Sequence, residues 1–96
     1  AKSLGLVTSV NEAPLEAALE MAGVIASNNP DAVARSKYMF ETTWRGDNLA
    51  GLAEEERLQT PVLMSANQVE SVMAAMEKRE PAFEERSFTR YDELAQ

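Results

Sequence analysis

A mainly all-α chain is the prediction from this sequence, with about four amphipathic helices after one short N-terminal strand. Three observations predict it. Apolar residues recur at three- and four-residue spacing along four successive stretches. The stretches are punctuated by Asn, Asp, Ser, Pro and Gly at positions that suit helix starts and stops. The hydrophobic share, 45%, is too high for a disordered chain, and only one β-branched run stands apart from the helical pattern.

That run is GLVTSV, residues 5–10, which reads as a strand. No later segment offers it a partner, and a lone strand leaves its backbone donors and acceptors unpaired. Residues 1–10 are therefore expected to be the remnant of a core strand region whose partners lie upstream. Residues 11–83 form a helical unit, and residues 84–96 a charged tail.

Asn11 and Pro14 open the first helix, Asn as a cap and Pro in the first turn. Leu15, Ala18, Leu19, Ala22 and Ile25 give it one apolar face. Glu12, Glu16 and Glu20 lie early, toward the positive end of the helix dipole. Asn28, Asn29 and Pro30 make a break and a new start, with Asn29 the cap of the second helix. This helix runs to about Trp44, carries Val33, Phe40 and Trp44 on one side as packing anchors, and stops at Gly46.

Asp47 or Asn48 caps the third helix, whose face holds Leu49, Leu52, Ala53 and Glu56 and extends to Leu63. Pro61 removes a hydrogen bond and clashes with the preceding turn, so a kink or break is expected there. Ser65 or Asn67 caps the fourth helix; Val69, Val72, Met73 and Met76 make its stripe, and Pro81 stops it. The tail, with Phe88, Tyr91 and Leu94 spaced by three, reads as a short helix or a frayed end.

Composition excludes several functions. A net charge of −7 with scattered basic residues argues against nucleic-acid binding. The absence of Cys removes disulfides, thiolate catalysis and the common zinc sites; the absence of His removes the most frequent general base. Glu54, Glu55 and Glu56 read as a solvated helix face, so no catalytic residue and no metal ligand is assigned. No run approaches the ~20 apolar residues of a membrane span, and no signal peptide is visible. A cysteine-free chain is compatible with the reducing cytoplasm, the expected location. The first residue is Ala rather than Met, which suggests processing or trimming. A single thin-cored domain of this size buries only about 60–70% of its unfolded surface, so self-association is expected.

The order of these elements resembles the C-terminal part of the enoyl-CoA hydratase/isomerase (crotonase) superfamily. Gly5, Leu6 and Val7 look like its last core strand, and residues 15–30 like the following helix with its Asn-Pro junction. Ala32, Val33 and Lys37 are similar to its next helix. Gly51, Leu52, Glu55, Ser65, Asn67 and Glu70 fall where the family has Gly-Leu, Glu, Ser-x-Asp and Glu. Glu77-Lys78-Arg79-x-Pro81-x-Phe83 completes the pattern, which spans about residues 1–83.

The resemblance implies an acyl-CoA thioester substrate whose carbonyl is polarised by backbone amides, with acidic residues moving protons nearby. Those parts would lie upstream of Ala1, so this piece alone is expected to be inactive. The resemblance also implies roles in subunit assembly and in closing the CoA site. Lys78 matches a lysine that approaches a CoA phosphate. Ala75 stands where the family often has a Phe lining the acyl pocket, which implies a roomier acyl site beside Met76. The bland reading of Lys78 and Arg79 is a basic last turn complementing the helix dipole, and that of Met73 and Met76 is ordinary packing. Two rivals stand beside the hydratase/isomerase expectation. One is a stand-alone helical interaction module without catalysis. The other is a crotonase-like parent that hydrolyses thioesters or cleaves C–C bonds.

Overall fold

The computed structural model describes residues 1–95, and they form a mainly α structure. Helix α1 spans Pro14–Ala26, α2 Pro30–Thr43, α3 Asn48–Gln59 and α4 Ala66–Glu77; a 3-10 turn, Tyr91–Ala95, closes the chain. Three starts follow directly from local chemistry. Asn29 Oδ1 accepts the amides of Asp31 and Ala32 at 3.0 and 3.4 Å, with Pro30 at the first position. Asp47 Oδ1 accepts those of Leu49 and Ala50 at 2.8 and 3.0 Å. Ser65 Oγ accepts that of Gln68 at 3.3 Å, while the Gln68 side chain reaches back to the Met64 amide.

Several expectations are corrected. Among the described residues there is no strand: residues 5–10 have no ladder partner, and Ala1 to Leu6 instead fold as turns, with Gly5 at φ 75°. Asn11 does not cap α1; its side chain accepts only the Ala13 amide, and Ala13 precedes the helix without a side-chain cap. Helix α2 ends in an ordinary turn, the Gly46 amide meeting the Thr43 carbonyl at 3.0 Å. At Pro61 the expected kink or break is a break, with α3 closing at Thr60. Helix α4 ends at Glu77, four residues before Pro81, and is closed by Lys78 in the left-handed region.

The larger correction concerns the core. It is built from Ala34, Leu58, Phe88 and Leu94, with Tyr38 and Met39 packed against it. Two of these come from residues 84–96, read as a charged tail; Gln96 of that segment lies outside the described residues. The aromatic groups cluster there: Tyr91 sits 6.1 Å from Tyr38 and 6.3 Å from Phe88. The Arg35 and Arg86 guanidinium carbons lie 5.3 and 5.1 Å from the Phe88 ring centre. The apolar stripes face outward instead. Phe40 is 59% and Trp44 83% exposed, so neither anchors a helix within this chain. No residue of α1 is buried. Helices α2 and α3 pack most closely against one another, and α1 and the terminal turn touch α2.

Candidate functional site

The three residues singled out by the sequence, Lys78, Ala75 and Met76, come together at the exposed C-terminal end of α4. Lys78 adopts φ 54°, ψ 45°. A lysine there has its Cβ pressed toward the following carbonyl, a conformation that costs a non-glycine residue about 1 kcal/mol. The strain is held by hydrogen bonds on both sides. The Lys78 amide donates to the Ala75 carbonyl at 3.3 Å, and the Arg79 amide to the Ala74 carbonyl at 3.0 Å. Together they form the overwound ending usually reserved for glycine.

Arg79 then fixes the chain as it leaves the helix. Its guanidinium grips both oxygens of Glu70, one at 3.2 Å, and also bonds Glu77 at 2.5 Å. Glu70 accepts the Ala82 amide at 2.9 Å as well. These donors, the Arg79 guanidinium first and the Ala82 amide second, hold the Glu70 carboxyl down at about 2 and raise the Arg79 guanidinium above its ordinary value. The Lys78 ammonium has no ion pair among the described residues and is free to meet an anion.

One turn earlier, Asn67 clamps the same strap. Its amide nitrogen donates to the Glu84 carbonyl at 3.0 Å, and its oxygen accepts the Glu84 amide at 2.8 Å. The nitrogen also approaches Asp31 Oδ2 at 3.3 Å. Asp31 Oδ1 takes the Ser87 amide at 2.8 Å and the Ser87 hydroxyl at 2.7 Å. Asp31 and Asn67 are both buried. Burial alone would raise the Asp31 carboxyl. The Ser87 donors, the Asn67 amide and the Arg35 charge outweigh it, and the net shift is downward.

Sequence reasoning missed Asp31 and Ser87 and read Asn67 only as a possible cap. A signal existed. Asn67, Glu70 and Ala74 form one small, polar row at i, i+3 and i+7, and this row, not the apolar stripe, meets the rest of the chain. The Val72, Met73 and Met76 side of α4 is left open, Met76 being 74% exposed.

A second concavity lies between α2 and α3. It encloses about 300 Å³ among Ala32, Met39, Leu58, Val62 and Leu63, with Arg35 at its wall. The Arg35 Nε is buried without a partner, while its Nη1 lies 3.4 Å from the Leu58 carbonyl. Glu54 pairs with Arg57 rather than with its acidic neighbours. Among the described residues no group of three or more acidic side chains converges to hold a metal ion. None of their helices is long and apolar enough to cross a membrane. No protein-family model, curated protein or solved structure matches the chain.

The two depressed carboxyls set an acid limit. Both groups have folded values below their unfolded ones, so each contributes stability that is complete above its unfolded value, near 4. That contribution is lost as pH falls through the folded value, about 2 for Glu70. Thermal melts between pH 5 and pH 2 are expected to show a steady fall in Tm. Glu70→Gln and Asp31→Asn should each flatten it, and a profile identical to wild type in both variants rules this origin out.

Proposed function

We propose that this chain is the helical C-terminal segment of a cytoplasmic enoyl-CoA hydratase/isomerase-like enzyme that hydrates acyl-CoA thioesters or migrates their double bond. In it the segment joins subunits and closes the CoA site. Lys78 extends toward a CoA phosphate, while Ala75 and Met76 border the acyl chain. The observation that carries this reading is Lys78 itself. It is an unpaired cation in a strained conformation, at a position where glycine would rest without strain. The Glu70–Arg79 brace and the Asn67 clamp hold the strap behind it, so its ammonium leaves from a defined point. Strain kept at an over-determined position is a pointer to function. The residues that build the brace, Glu70 and Arg79, also belong to the pattern through which the chain resembles the crotonase superfamily.

The test is made in the protein encoded by the complete reading frame. Lys78→Gly removes the ammonium and relaxes the backbone together. It is expected to raise stability by about 1 kcal/mol. It should also raise KM for CoA esters about five-fold, the equivalent of an exposed charge pair of about 1 kcal/mol. A contact far from the reacting carbons is uniform binding, so kcat should hold. KM for a truncated pantetheine ester should not move. An unchanged KM for CoA esters, with a shifted pantetheine value, refutes the assignment.

A second reading, a helical interaction module without catalysis, is favoured by the outward apolar stripes of α1 and α4. Reading the frame upstream of Ala1 separates the two. A strand-and-helix core with glycine-rich oxyanion loops supports the enzyme, and an immediate start codon supports the module.

A further inference from the structure

The chain exposes 7820 Å² of accessible surface. A compact monomer of 10.6 kDa exposes about 5,500 Å². The excess, roughly 2,300 Å², is well above the ~800 Å² each partner contributes to a standard interface, enough for a stable association of two copies. The radius of gyration, 16.0 Å, likewise exceeds the ~12.5 Å of 96 compact residues.

Helix α1 contributes a continuous part of this exposed surface. Leu15, Leu19, Met21, Val24 and Ile25 are all exposed, and only Glu16 and Glu20 interrupt the apolar surface of the helix. A helix apolar over most of its circumference needs cover on more than one side. The neighbouring face of α2 is a shallow trough of about 450 Å³ bounded by Val33, Lys37 and Phe40, and Trp44 continues the same row. The two surfaces match in length. Leu15, Leu19, Ala22 and Ala26 make one row of α1, and Val33, Phe40 and Trp44 one row of α2. Each row spans eleven residue steps, about 16 Å of helix.

They also match in charge, and one direction engages both basic groups. Helix α1 has acidic groups and no basic one. Beside the trough, Lys37 has only a 3.9 Å contact with Glu41, and Arg45 has no ion pair among the described residues. Laid antiparallel, with Leu15 at Trp44, α1 brings Glu16 near Arg45 and Glu20 near Lys37, with Glu41 of the trough between them. Laid parallel, it brings Glu20 beside Lys37 but leaves Arg45 beyond the acidic half.

We propose that a second copy of this chain covers the trough: α1 of each copy lies antiparallel along the Val33–Phe40–Trp44 row of the other, in a closed two-fold dimer. The inference rests on the exposed surface alone and stands whether or not the acyl-CoA reading does.

The test uses this chain without any CoA ester. Size exclusion with light scattering from 1 to 200 μM should show a dimer that dissociates on dilution (a concentration range on the order of typical association constants). Trp44, the single tryptophan, should shift its emission to shorter wavelength as the dimer forms. Leu19→Glu and Phe40→Glu change exposed side chains, so helix content by circular dichroism should persist while the dissociation constant rises at least ~10-fold. Lys37→Glu should weaken the dimer, and adding Glu20→Lys to the same chain should restore it, since the exchange is reciprocal. A monomer at every concentration overturns the proposal. So does a dimer indifferent to both Glu substitutions, an open-ended assembly, or a charge swap that fails to restore association.

Discussion

A chain ending at Phe83 is expected to lose its cooperative thermal transition. Residues 84–95 carry six charged side chains, yet they also supply Phe88 and Leu94, half of the buried core cluster. Removing a buried aromatic alone costs about 3–5 kcal/mol. The deletion also strips both Ser87 donors from Asp31 and both Glu84 bonds from Asn67. Each buried polar group left without a partner costs a further ~1–3 kcal/mol. A domain of this size holds only about 5–15 kcal/mol in total. The sum exceeds the lower part of that range, so the truncated chain should melt broadly or not at all by far-ultraviolet circular dichroism. A sharp melt within about 5 °C of the intact chain would show that the helices hold themselves together without this segment.

Asn67→Ala should be the most damaging single substitution on α4. The Asn67 side chain makes a two-bond ladder with the Glu84 backbone and a third contact with Asp31. Alanine leaves these groups without their partner in a buried setting, at about 3 kcal/mol in total. For a domain of this length that lowers Tm by roughly 12–20 °C. Asn67→Asp is expected to do as badly at neutral pH. It keeps the acceptor for the Glu84 amide, loses both donors, and sets a second carboxylate against Asp31 Oδ2. Unlike alanine, it should recover part of the loss as the pH is lowered and one of the pair takes a proton. Val72→Ala, on the exposed side of the same helix, is the control and should cost under ~0.5 kcal/mol. If all three variants melt together, the clamp contributes nothing and α4 is held some other way.

Where each element begins was legible because the determinants are local. Asn29-Pro30, Asp47 and Ser65 satisfy amides two or three residues away, so the starts of α2, α3 and α4 can be read from neighbouring letters. The Pro61 break is of the same kind. Residues 5–10 were misread because β-branched residues indicate only a preference for extended backbone. A strand requires a partner, and among the described residues none is present. Asn11 was misread because its side chain was satisfied one residue short of the helix.

The inside of the molecule was not legible. The apolar stripes of α1, α2 and α4 suggested an inward face for each helix, yet Leu19, Phe40, Trp44 and Met76 point outward. What holds α4 is its polar row, and what fills the core includes two side chains from a segment read as a short helix or a frayed end. The Lys78 position is an intermediate case. Its place in the Glu77-Lys78-Arg79 run marked it from the sequence, but its left-handed backbone, closed by the Lys78 and Arg79 amides on the Ala75 and Ala74 carbonyls, did not show there.

By itself, then, the sequence determined that this chain is mainly α and where α2, α3 and α4 start. Those outcomes depend on hydrogen bonds and spacings within a few residues. Only the tertiary structure decided which faces are buried, that residues 84–95 belong to the core, and that Asp31, Asn67 and Ser87 share one network. Those outcomes join residues 17 to 56 positions apart, and hydrophobic periodicity marks a face that must be covered without naming what covers it.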